Sequence, residues 1–250
     1  MIGMLLWKEP VKGEKTKRIQ IGRRSVLQMQ FLCAEIARGE KTSELLLRRS
    51  ILRAARRLRK EGVTQVVLPE AFPYGDELVR CGLRAVSTLP LRRALAAELV
   101  RAQLDACAIV PAQARIAVCG EYLTGELVRA VTQLALRYRY VFLDLPSGGE
   151  ALCRQLRREY GVSVVFDPAR SQLETADVFL LFREQEEFLQ KRERVLVLYE
   201  DGAVFLPPLQ IPQELEKQLP QGAERMQLLS ALAEGGALRR EQIVIGTLQG

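Results

Sequence analysis

Four residues between positions 115 and 145 have the types and spacing to hold a phosphorylated ligand. Gly120 ends the apolar run Arg115-Ile116-Ala117-Val118-Cys119, and Gly125 opens an apolar-periodic segment five positions later. A strand that breaks at a glycine and re-enters as a helix offers an anion free backbone N–H groups and the positive end of the helix dipole. Tyr122 stands between the two glycines. Asp144 ends the next apolar run, at the distance downstream where a carboxylate can accept hydrogen bonds from a ribose.

Other groups carry weaker signals. The loop Pro69-Glu70-Ala71-Phe72-Pro73-Tyr74-Gly75-Asp76-Glu77 follows a short apolar run, and Glu70 and Tyr74 are its candidates for proton transfer. The same loop also reads as a structured turn whose aromatics pack on the core. Glu70, Asp144 and Asp167 all sit at the carboxyl ends of expected strands, where carboxylates converging on one rim could hold Mg²⁺; no motif spacing supports it, and no metal site is assigned. Ser147-Gly148-Gly149-Glu150 resembles a phosphate loop, but Ser147 and Glu150 also have capping-box spacing. Arg49, Arg53, Arg56 and Lys60 recur at three- and four-residue steps, forming one basic stripe along an expected helix that could track nucleic-acid phosphates. An amphipathic helix with its arginines in water explains the same pattern without a partner.

Composition removes several mechanisms. The chain has no histidine, which excludes Ser-His-Asp and Cys-His catalysis and histidine-ligated metals. Cys33, Cys81, Cys107, Cys119 and Cys153 are scattered, odd in number and free of C-x-x-C pairs, so reduced thiols are expected. Residues 1–62 carry 16 Lys and Arg against 6 Asp and Glu, whereas the rest of the chain is slightly acidic. That asymmetry suits an acidic partner, or docking on the acidic body. No apolar stretch is long enough for a membrane span, and the opening apolar residues are too short for a signal-peptide core, so a cytoplasmic protein is expected.

These side chains need a scaffold. Residues 4–7 and 19–21 read as short strands around a turn at Pro10 and Gly13, and apolar spacing predicts helices over 25–38 and about 43–60. A strand at 64–68, a short helix from 76, a strand near 83–86 and a helix over 91–107 follow. Strands at 115–119, 140–144, 162–166 and 178–182 then alternate with helices at 125–138 and 149–160. Asp201-Gly202 between apolar runs at 194–199 and 203–206 predicts a hairpin, with a helix near 224–233 and a strand at 243–245 beyond it. The expected organisation is a basic N-terminal segment (1–62), a first α/β half (63–110), a second half (111–206) and a helical tail (207–250). Alternating strands and helices imply an α/β fold with a doubly wound, mostly parallel sheet.

Residues 115–182 resemble the NAD(P)-binding Rossmann superfamily. Gly120 and Gly125 match the first and third glycines of its G-x-G-x-x-G turn, Asp144 matches its acidic strand end, and Ala176-Asp177-Val178-Phe179-Leu180-Leu181 is similar to its fourth strand. Tyr122 replaces the middle glycine. The resemblance is to the cofactor domains of the shikimate dehydrogenase and glutamyl-tRNA reductase type. It implies NAD(P) or another nucleotide-like ligand held by Gly120, Tyr122, Gly125 and Asp144. The resulting expectation is a ligand-binding or regulatory protein with a degenerate dinucleotide site. The alternatives are an NAD(P)-dependent oxidoreductase and a nucleic-acid-associated protein using helix 43–60.

Overall fold

The computed structural model describes residues 1–9, 18–39, 42–189, 194–201 and 207–246. In chain order the elements are β1 (Ile2–Lys8), β2 (Ile19–Val26), β3 (Met29–Ala37), α1 (Glu44–Lys60), β4 (Gln65–Val67), α2 (Gly75–Arg80) and β5 (Arg84–Ala85). Next come α3 (Leu89–Ala94), α4 (Ala96–Ala106), β6 (Arg115–Cys119), α5 (Gly125–Arg137), β7 (Tyr140–Asp144), α6 (Gly149–Tyr160), β8 (Val165–Phe166), α7 (Arg170–Leu173) and β9 (Val178–Leu181). The last are α8 (Glu186–Leu189), β10 (Val195–Val197), β11 (Leu209–Gln210), α9 (Gln213–Glu216), α10 (Arg225–Glu234) and β12 (Val244–Ile245). They form two compact units: unit 1 is Met1–Thr88 with Ile211–Gln242, and unit 2 is Leu89–Gln210 with Ile243–Gly250.

Unit 1 is a five-stranded sheet of order β2-β3-β1-β4-β5. Its strands are parallel except β2, which pairs antiparallel with β3 at the edge. On one face, Leu47, Ile51 and Leu58 of α1 and Leu78 of α2 bury against Leu5, Ala34 and Val66. Each such side chain withdrawn from water contributes roughly 1.5–3 kcal/mol before entropy is charged. α10 packs on β4. Gln227 Oε1 of α10 accepts from Leu68 N at 2.9 Å, and the buried Ser230 hydroxyl donates to Ser87 O at 2.7 Å.

The helix expected over 25–38 is instead the hairpin β2–β3. Its two-residue turn is Leu27-Gln28, both at positive φ (46° and 70°). Met29, Phe31 and Cys33 alternate with Leu32 and Ala34 across the sheet; a run apolar on both faces matches helical spacing by accident. β1 and β2 are both strands as expected, but β3 lies between them. The expected turn at Pro10 and Gly13 lies outside the described residues.

Unit 2 carries a parallel sheet of order β10-β9-β6-β7-β8. Numbered within the unit this is 5-4-1-2-3, the strand order of a Rossmann-like, doubly wound α/β fold. Ile116 pairs with Val141 on one side and with Val178 on the other. Both neighbours of β6 are therefore parallel to it, and strand order reverses at β6. Val118, Leu143 and Leu180 are fully buried, which is why these strands read as continuous apolar runs. The single helix expected over 91–107 is two, α3 and α4, separated at Leu95, and the strand expected at 162–166 narrows to β8. α10 and β12 form where the sequence places them, and β12 pairs antiparallel with β11. The second arm of the expected Asp-Gly hairpin lies outside the described residues; β10, its first arm, pairs parallel with β9.

Candidate functional site

The carboxyl ends of β6, β7 and β9 form one edge of unit 2, and the crevice at β6 is where an open α/β sheet receives a ligand. Gly120 extends β6, its N–H donating to Asp144 O at 3.0 Å. A Cβ at Gly120 would stand 2.4 Å from Leu127 Cδ1 and 3.2 Å from Leu145 Cδ1. The absence of a side chain at Gly120 lets α5 settle on the sheet. Gly125 has no such role, since a Cβ there would meet nothing within 4 Å. Gly125 is the first residue of α5, and Thr124 caps the helix by accepting from Leu127 N at 3.2 Å.

Tyr122 does not pack into the crevice. It is 67% exposed, and its hydrogen bond to Glu121 holds the phenol above its ordinary range. Glu121 also places a carboxylate in the loop, which makes it less hospitable to a pyrophosphate than glycines would be.

Asp144 is already engaged. Its Oδ2 accepts from Arg183 Nη2 at 2.7 Å and from Gln185 Nε2 at 3.2 Å. Phe182 N donates to Cys119 O at 2.8 Å, so the chain leaving β9 is held to the end of β6 as it delivers these two side chains. Arg183 Nε and Gln185 Oε1 are buried with no hydrogen-bond partner among the described residues. Beneath them, burial pushes the Cys119 thiol up to about 12, the Asp144 carboxylate pushing the same way and Arg183 opposing. Cys119 is therefore a neutral core thiol and not a nucleophile. Sequence reasoning missed Arg183 and Gln185. Their signal is the abrupt polar break after the apolar run of β9, at the strand end facing the crevice.

The Ser147–Glu150 segment forms no capping box. Gly148 caps α6 in the left-handed region (φ 81°) without a side-chain bond, and Glu150 pairs with Arg154 at 2.8 Å. Gly149 lies against the Phe166 ring, where a Cβ would stand 2.4 Å from Cε2.

Glu70 and Tyr74 belong to unit 1. Tyr74 is buried, edge-on to Phe72, which stacks on Trp7 (ring centroids 5.6 Å apart in each pair). Glu70 is exposed and lines an open cavity of about 520 Å³ with Gln213, Glu216, Lys217 and Arg225. Arg225 donates two bonds to Glu216, at 2.6 and 2.7 Å, which hold the Glu216 carboxyl below its ordinary range. Glu70 stands on a different sheet from Asp144 and Asp167, so the three carboxylates do not share one rim.

Arg49, Arg53, Arg56 and Lys60 do share one face of α1, joined by Arg57. These five side chains and Leu52 line a shallow groove of about 400 Å³. Arg48 pairs with Glu44 and Glu77, but the five groove cations have no ion-pair partner among the described residues. Like charges one turn apart on a helix cost roughly 0.2–0.5 kcal/mol per pair.

No family model matches the chain, and no curated protein matches it. Among solved structures it is similar to the crystal structure of L-tryptophan dehydrogenase from Nostoc punctiforme, with 15% identity, a TM-score of 0.29 and 60% of this chain covered. The match spans 44% of that dehydrogenase's length. Among the described residues, no helix is long and apolar enough to cross a membrane.

Proposed function

We propose that unit 2 is a ligand-binding module that takes a nucleotide-like molecule at the carboxyl edge of β6, with a degenerate phosphate loop. The observation that carries this reading is the Asp144–Arg183–Gln185 cluster at the crevice where strand order reverses. It sets a guanidinium and an amide, each with a buried atom that has no partner among the described residues, at the carboxyl end of β7. A ligand phosphate takes Arg183 from Asp144, and the freed carboxylate then accepts from a ribose. The binding reading is preferred to hydride chemistry because the groups at this edge suit holding a ligand: Arg183 and Asp144 serve phosphate and ribose, and the Cys119 thiol is buried. Glu121 and the missing middle glycine disfavour a full dinucleotide and favour a ligand with less phosphate to cradle.

Thermal unfolding with NAD, NADP, ATP and AMP tests this. A ligand at one hundred times its dissociation constant adds about 2.7 kcal/mol, a rise of about 5–10 °C for a unit of this size. Arg183→Ala should remove the shift. No shift with any of the four at millimolar concentration would refute the proposal.

A further inference from the structure

We propose that the exposed face of α1 binds the sugar-phosphate backbone of a nucleic-acid duplex without reading its sequence, independently of the edge in unit 2. At about 100° per residue, Arg49, Arg53, Arg56, Arg57 and Lys60 fall within an arc of about 100°, opposite the arc of Leu47, Ile51, Ala54, Ala55 and Leu58 that enters the core. From Arg49 to Lys60 the arc runs about 16 Å, close to five base-pair steps of duplex. Among the described residues, Leu52 is the only other side chain lining the groove, and no carboxylate stands among the five.

The chemistry selects the occupant. Arginine presents a planar fork that matches a phosphate, and four of the five cations are arginines. A single strand is held by aromatic platforms on which bases stack, and the arc has none. Insertion into a membrane surface requires a continuous exposed apolar face; the apolar arc of α1 is spent on the sheet, and the exposed Leu45 at the start of the helix does not make such a face. Protein partners favour an interface with an apolar, charge-depleted centre, the reverse of this groove.

The test is salt-dependent fluorescence anisotropy with a 20-base-pair DNA duplex as the probe. Each neutralised phosphate contributes about 0.9 to the slope of log K against log salt, so five contacts give a slope of about −4.5. Arg49→Gln with Arg53→Gln and Arg56→Gln should flatten it by about 2.7. The matched lysine triple should keep the slope, since lysine retains the charge. A control of equal charge change on α6, Arg154→Gln with Arg157→Gln and Arg158→Gln, should leave the slope unchanged. Circular dichroism checks that each variant folds. The proposal is overturned if the α1 glutamine triple binds with an unaltered slope or if the α6 control flattens it equally. It is also overturned if a single strand binds more tightly than the duplex, or if phosphatidylserine vesicles displace the duplex from the wild-type protein and not from the glutamine triple.

Discussion

Gly120 and Gly125 should respond in opposite ways to the same substitution. Gly120→Ala puts a methyl group 2.4 Å from Leu127 Cδ1, and both Leu127 and its neighbour Leu145 are buried with little room to turn away. Overpacking of this kind costs roughly 1–3 kcal/mol. Gly125→Ala adds its methyl to open space at a helical position whose φ is not positive. There the loss of unfolded-chain freedom should stabilise by about 0.4–1 kcal/mol. With a urea dependence of about 2 kcal/mol per molar, the Gly120 variant should unfold about 0.5–1.5 M earlier and the Gly125 variant slightly later than wild type. Circular dichroism follows the transition, and hydrogen exchange at the β6 and β7 amides reads unit 2 by itself. A Gly125 variant as damaged as the Gly120 variant would refute the assignment of close packing to Gly120.

Three further outcomes are expected. Burial holds the Cys33 thiol up to about 11 and Cys119 up to about 12, from 9.0. The fold therefore favours their protonated forms, and their stabilisation is complete below pH 9 and falls away as pH climbs towards 11–12. Iodoacetamide at pH 8, read by mass spectrometry, should modify exposed Cys107 and spare both; rapid labelling of Cys119 would contradict its burial. Glu216, held low by Arg225, contributes stability above pH 4.5 that is lost as pH falls through its lower folded value. Its side chain is 42% exposed, so Glu216→Gln should cost less than about 1 kcal/mol at pH 7 in urea melts, and 1 M salt should erase the difference. Gln28→Gly should raise the urea midpoint of unit 1 by relieving a non-glycine residue at φ 70°; a lowered midpoint would mean that the Gln28 side chain matters more than its backbone.

The sequence disclosed unit 2 far better than unit 1, for a physical reason. A strand buried on both faces, such as β6 or β9, must be apolar at nearly every position, and the glycine and polar breaks between such runs mark the turns. The β2–β3 hairpin has no such punctuation: Leu27-Gln28 lacks the Gly or Asn that usually announces a two-residue turn, and β3 imitates an amphipathic helix. At the candidate site, Gly120 and Asp144 were legible because strand ends are. Their roles were not, since the partners of Asp144 come from 39 and 41 residues away and only the parallel pairing of β6 with β9 brings them close. The stripe on α1 was visible because it depends on helical periodicity alone, though Arg57 was added only by the structure.

Unit 1 is interrupted by most of unit 2, and this has a consequence for synthesis on the ribosome. The amide of Leu68 finds its acceptor 159 residues later, and Ser87 meets Ser230 143 residues later. The first 88 residues thus emerge without the helix that supplies those partners and must wait, incompletely covered, while the intervening polypeptide is made. Any translation arrest before residue 225 would release a nascent chain with a bare sheet face, the kind of surface that chaperones retain.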